Sequence, residues 1–156
     1  MPIVAHSKLP TFERLRLDGE PVVPREVALH QDIRELHIGL LNMMPDTALA
    51  ATERQFFRLI GESNQIAQFY MHPFTLDALK RGPEGRAHVE QYYESFDQIK
   101  ALGLDALIIS GANVTQPDLT KEPFWEPLIA VIDWAYANGM RPTEALQARL
   151  YEEIKS

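Results

Sequence analysis

Six consecutive residues, Ser110-Gly111-Ala112-Asn113-Val114-Thr115, carry the most legible chemistry in this chain. They follow a short apolar run at 105–110, and Gly111 lets the main chain approach a ligand closely. Backbone N–H groups in such a loop can receive an oxyanion, the negative charge that develops on a carbonyl oxygen under attack. An ordinary strand-to-helix turn has the same spacing, so both readings stand at this point. A second stretch, Asn42-Met43-Met44-Pro45-Asp46-Thr47, leaves another apolar run. A helix starting after Pro45 would present an anion-favouring N-terminus. Asp46 is also a good helix cap, and its own carboxylate weakens anion binding there. Asp46, Thr47 and Asn113 are therefore candidates for the edge of a site. The five histidines, His6, His30, His37, His72 and His88, include no pair four apart on a helix, so no metal site is read. His37 reads as a satisfied core or edge residue. His72 closes a strand near the ligand edge.

The elements that must position these residues follow from periodicity. Glu35–Met43 is nearly continuous in apolar residues, the mark of a strand covered on both faces. Thr47–Gly61 follows as a helix, with Leu49, Phe56 and Ile60 on one face and Glu53, Arg54 and Arg58 pointing away. Gly61 is its expected stop. Residues 66–72 form a second strand that Pro73 ends. Residues 75–87 are a polar connection, and 88–101 a helix stopped by Gly103. Residues 105–110 give a third short strand. Residues 124–138 give a last helix, with Trp125, Leu128, Ile132 and Ala135 on one face and Asn138-Gly139 as its stop. The sum is a three-layer α/β/α sandwich with a mainly parallel, flavodoxin-like sheet. Strand 35–43 is expected between the other two. Residues 1–30, with four prolines and no sustained period, read as an N-terminal arm packed on the domain or on a partner subunit. Residues 31–138 form the α/β domain. In the tail, 139–156, Leu146, Leu150 and Ile154 recur every four residues, so 143–155 is an expected helix covering an exposed sheet region, with Thr143 as its cap.

Composition limits what this scaffold can do. The chain has 156 residues, 46% hydrophobic and 24% charged, as a globular domain requires. No run approaches the roughly 18 apolar residues that span a bilayer, and the first residues do not form a signal peptide. The cytoplasm is the expected compartment. A net charge of −7 argues against nucleic acid as a main partner. There is no cysteine, which excludes disulfides and thiolate chemistry from this chain. No glycine-rich phosphate fingerprint follows the first strand, which argues against a nucleotide binder.

Leu36–Pro45 and Glu53–Asn64, together with MPIVAHSKLPTF, GLDALIISGA and EPFWEPLIAVIDWAY, resemble the homoserine O-succinyltransferase (homoserine O-acyltransferase) family. The matches recur in order over about residues 1–138. The resemblance implies a class I glutamine amidotransferase-like fold, of which this chain would be the incomplete N-terminal part. It implies acyl transfer from succinyl-CoA to L-homoserine in methionine biosynthesis, through an acyl-thioester on cysteine. Acetyl-CoA is the alternative donor. It implies small-molecule substrates, no bound cofactor, no membrane, and leaves a possible homodimer. Gly111 and Ala112 match the family's oxyanion loop, and Thr115 falls at its donor-tuning position. There, glycine goes with succinyl and glutamate with acetyl. Asn113 stands where proline is usual, and Asp46 and Thr47 replace a lysine pair. Phe124 and Trp125 resemble the family's site-framing aromatic pair.

The family places its nucleophilic cysteine at a strand-to-helix elbow after the last helix, and a later histidine and glutamate activate it. Here GMRPTEALQARLYEEIKS follows instead, and complete members run to roughly twice this length. No catalytic residue is assigned, and the chain is expected to be inactive alone. The alternative reading is a non-catalytic α/β binding or interaction module.

Overall fold

The computed structural model describes residues 3–63 and 66–141. The expected helix 143–155 and its cap lie outside these residues. In chain order the elements are β1 (Ile3–Ala5), α1 (Pro10–Leu17), β2 (Val22–Pro24), α2 (Arg25–Ala28), β3 (Glu35–Leu41), α3 (Asp46–Ser63), β4 (Gln68–Phe74), α4 (Pro83–Tyr92), α5 (Phe96–Leu102), β5 (Ala106–Ile109) and α6 (Trp125–Ala137), with a short 3-10 turn at Leu119–Lys121 before α6. The sheet is five-stranded in the order β2-β1-β4-β3-β5, and every pairing is parallel. β3 lies between β4 and β5 as its apolar character requires. This is a flavodoxin-like α/β/α arrangement.

Side chains alternate across the strands, and the two faces carry separate cores. Ile38, Leu40, Phe69 and Met71 pack with Phe12 and Leu15 of α1 and Phe57 of α3. Leu41 and Phe74 pack with Ile99 of α5 and Val131 of α6, with Leu107 and Ile109 partly buried beside them. Each large aliphatic or aromatic side chain buried in this way is worth roughly 1.5–3 kcal/mol before entropy is subtracted.

Several local expectations are corrected. The first 30 residues add two strands to the sheet, each too short to show a period. Pro73 sits inside β4, opposite Leu40. Its carbonyl accepts from Glu94 N–H, whereas the carbonyl of Phe74 accepts from Asn42 of the β3 side. The donor that Pro73 lacks therefore faces away from β3, where β1 meets β4 only at Phe69. The helix expected over 88–101 is two helices. Ser95 and Gln98 form a capping box that starts α5, and α4 begins at Pro83, inside the expected connection. Gly61 does not end α3, which runs to Ser63. Val131 rather than Ile132 is the fully buried residue of α6. Gly103 and Gly139 are stops as expected, at φ 78° and 87°.

The buried stripe of α3 also differs. It is Leu49, Glu53 and Phe57, with Phe56 and Ile60 only partly buried. Glu53, expected to face solvent, is 0% exposed. Its carboxylate accepts from Thr11 Oγ1 of α1, from Tyr93 Oη at 2.5 Å, and is 2.9 Å from His88 Nε2. Three partners make a buried carboxylate tolerable where one would not. Burial, then the charge of Glu53, pushes the Tyr93 phenol well above its usual range. It therefore stays a donor.

Candidate functional site

The carboxyl ends of β3, β4 and β5 lie side by side, the edge at which open parallel sheets bind ligands. Asn42 is the hub of this edge. Its Nδ2 donates to Leu49 O at 2.9 Å and to Tyr93 Oη at 3.0 Å. Its carbonyl accepts from Thr75 Oγ1 at 2.7 Å and from Arg81 at 3.2 Å. The buried Glu53 thus supports the edge through Tyr93 and Asn42.

Ser110 ties β5 to β3. Its Oγ accepts from Met43 N–H at 2.7 Å and donates to the Gly111 carbonyl at 2.9 Å. Gly111 follows at once, facing the Met44 sulfur, which a Cβ there would meet at 3.7 Å. Gly111 and Met44 are therefore neighbours. Ala112 packs against the core under α5 and α6. Asn113 and Val114 are exposed. Among the described residues the N–H groups of Gly111, Ala112, Asn113 and Val114 have no protein acceptor.

The far end of this loop is fixed. Glu122, 6% exposed, accepts from the N–H of Thr115 at 2.5 Å and of Gln116 at 2.6 Å. The Thr115 hydroxyl lies 3.4 Å from both of its carboxylate oxygens. Gly111 and Thr115 thus belong to one loop, anchored at both ends with free amides between. Phe124 is buried beneath it in the same core, at 4% exposure, and Trp125 opens α6.

Asp46 and Thr47 take no part in this loop. Asp46 stands in the first turn of α3, and its carboxylate reaches across to accept from Gly82 N–H at 2.6 Å. Any Cβ at Gly85 would collide with that carboxylate, so a side chain there would displace Asp46 from this position. Asp46 is a clip between α3 and the start of α4 rather than a cap. Thr47 is exposed.

Sequence reasoning missed Arg81. Its side chain is 7% exposed, and its guanidinium donates to the carbonyls of Met44 and Asn42 and, at 3.0 Å, to Thr75 Oγ1. Its contact with Asp46 is a long 3.4 Å. Glu122 and Glu53 were missed as well. Apart from Thr75, six residues from Arg81, the partners of the Arg81 and Glu53 side chains lie 35 or more residues away, beyond any local pattern. A cleft of about 520 Å³ opens behind Arg81, between loop 75–81 and α4, with Lys80, Arg86, Asp77 and Glu90 also on its walls. No group of three or more side chains placed to hold a metal occurs among the described residues.

The homoserine O-succinyltransferase family model matches residues 2–144. This chain belongs to the homoserine O-succinyltransferase family. It is 78% identical over 138 residues to the homoserine O-succinyltransferase of Allochromatium vinosum. It is 75% identical to that of Thioalkalivibrio nitratireducens and 74% to that of Nitrosococcus oceani. These matches cover 88% of this chain and 39%, 39% and 38% of the three relatives. The chain spans about two fifths of the length of the homoserine O-succinyltransferases it matches. No helix among the described residues is long and apolar enough to cross a membrane.

Proposed function

We propose that this chain supplies the oxyanion loop and sheet edge of a homoserine O-acyltransferase, and that it does not complete acyl transfer alone. The observation that carries the reading is the loop Gly111–Val114. It has four amides at the carboxyl edge without acceptors among the described residues, fixed by Ser110 at one end and Glu122 at the other. Acyl transfer passes through tetrahedral adducts in which the carbonyl oxygen becomes anionic. Donors already fixed in place stabilise that charge without reorganising. Gly111 and Ala112 are the proposed donors, with Asn113 at the rim of the site.

The full reaction needs a thiolate to attack the acyl-CoA carbonyl and release CoA. The homoserine hydroxyl then attacks the resulting thioester, loses its proton to a base and expels the thiolate. This chain has no cysteine to serve as that nucleophile. Its membership of the family supports succinyl-CoA as the donor, with Thr115 beside the acyl group. Acetyl-CoA is the alternative, and L-homoserine is the acceptor. Amino-acid biosynthesis supports a cytoplasmic setting. Without the nucleophile, the chain on its own is a non-catalytic module.

The test is thiol release from succinyl-CoA and from acetyl-CoA in the presence of L-homoserine. No release above the uncatalysed rate is expected. Turnover on the order of 1 per second or faster would overturn the reading and require another nucleophile.

A further inference from the structure

We infer that residues 143–155 dock as a helix along an apolar stripe of α6, antiparallel to it, and so cover that flank of the domain. The inference is independent of the acyl-transfer reading.

The stripe is Trp125, Ile129, Ile132 and Tyr136. Their spacings of four, three and four put them on one side of the helix. Leu128 and Val131 face the core from a neighbouring side, and none of the four stripe residues belongs to a core cluster. Tyr136 is 59% exposed, and Trp125, Ile129 and Ile132 are partly exposed. A helix that is apolar on one side only needs one layer to cover it. α6 is apolar on two sides and needs a second cover.

The way the chain leaves α6 selects the cover. Gly139 is left-handed, at φ 87°. Its N–H donates to the Tyr136 carbonyl at 3.1 Å, and Met140 N–H donates to the Ala135 carbonyl at 3.0 Å. These two bonds form a Schellman turn, which takes the chain off the helix. Arg141 then comes back against the last turn. Its Nη1 donates to the Tyr136 carbonyl at 3.0 Å, and its guanidinium stacks on the Tyr136 ring, 4.2 Å from the centre. The first residues past α6 are thus held on the last member of the stripe.

Leu146, Leu150 and Ile154 follow at intervals of four. Residues 138–142 are a turn of the length that joins antiparallel helices. Leu146 then falls opposite Tyr136, Leu150 opposite Ile132 and Ile154 opposite Ile129, so one register seats all three. At 1.5 Å per residue, Leu146–Ile154 spans roughly 12 Å and Ile129–Tyr136 roughly 10 Å, so the two stripes match in length. Periodicity alone placed this helix on the sheet. The return at Arg141 places it on α6.

The chain has no cysteine, so an introduced pair forms the only disulfide possible within one molecule. Helices in contact lie about 8–10 Å apart between axes, close enough for facing residues to be bridged. Ile132→Cys with Leu150→Cys should close an intramolecular disulfide on mild oxidation, at a rate independent of protein concentration. It should close about tenfold faster than Ala130→Cys with Leu150→Cys, the ratio that about 1.4 kcal/mol of docking gives. Ala130 is exposed, away from the stripe. Equal rates for the two pairs would overturn the inference, and so would crosslinked dimers, which would assign the stripe to a second copy of the chain. In the methyl-labelled wild-type chain, nuclear Overhauser contacts should join Ile132 to Leu150 and Ile129 to Ile154 in the monomer. Their absence overturns the inference even where a cysteine variant fails to fold.

Discussion

Two loops leave the carboxyl edge of this sheet, and opposite charges hold them. After β4, the buried cation of Arg81 grips the carbonyls of Asn42 and Met44 and the hydroxyl of Thr75. After β5, the buried anion of Glu122 grips the amides of Thr115 and Gln116. A cation occupies acceptors, and an anion occupies donors. The first loop therefore reinforces the ends of β3 and β4. The second is closed at 115–116, which leaves the amides of 111–114 without an acceptor among the described residues. The two clamps divide the edge into a braced side and a receptive side.

The largest test of this division removes Arg81. Arg81→Met keeps the stem, leaves the part-buried Met44 carbonyl and Thr75 hydroxyl without this donor, and takes one of two donors from the Asn42 carbonyl. A loss of about 3 kcal/mol is expected in urea unfolding, since hydrogen bonds to charged groups run to roughly 1.5–3 kcal/mol and orphaned partners add desolvation. A loss under about 1 kcal/mol would mean that the braced side does not depend on the cation.

Glu122→Gln is a smaller break. The amide oxygen still accepts, but the charge is lost, so about 1 kcal/mol is expected. Hydrogen exchange at Thr115 and Gln116 should accelerate by roughly tenfold, the equivalent of 1.4 kcal/mol, while Asn42 N–H stays protected. Unchanged exchange at 115–116 would remove Glu122 as the clamp.

Acid should give the smallest change, and neither clamp should be its source. Burial holds His6 below its ordinary 6.5, and the nearby imidazole charges hold Glu94 below 4.5 despite its burial. Both depressed groups bind fewer protons folded than unfolded. Their stabilisation is complete above pH 6.5. That of His6 is lost as the pH falls from there through its folded value, and that of Glu94 as the pH falls from 4.5 through its own. Melting temperatures measured downward from pH 7.5 should decline in that order, with the 115–116 amides still protected near pH 6. A rise in stability on acidification would contradict both directions.

What the sequence disclosed was set by length and by the distance to each partner. β3 and β5 are apolar runs long enough to recognise, and Gly103 and Gly139 mark helix ends by backbone geometry alone. β1 and β2 have three residues each, too few for a period, and they are strands because β4 pairs with β1 and β1 with β2. The capping box at Ser95 was visible as a Ser-x-x-Gln spacing but was submerged in a continuous apolar pattern. The loop at Gly111 was legible because glycine after a strand has few uses. Its anchor was not, because nothing near Glu122 marks it for the amides of Thr115 and Gln116. Glu53 shows the limit most plainly. A carboxylate reads as surface until Thr11, His88 and Tyr93 are brought to it by the fold.

The all-parallel sheet also sets a timetable for synthesis. No strand here can close on its successor through a tight hairpin, because parallel neighbours need a crossover. Ile3 meets Phe69, and Leu41 meets Ile109. At roughly 5–20 residues per second, a growing chain carries β1 for several seconds before β4 exists. Val4, Leu9, Phe12 and Leu15, all buried in the finished molecule, wait through that interval without the strand that seats β1 in the sheet. Slow codons placed just ahead of Phe69 would prolong that interval, and the yield of soluble chain should fall although the protein made is identical.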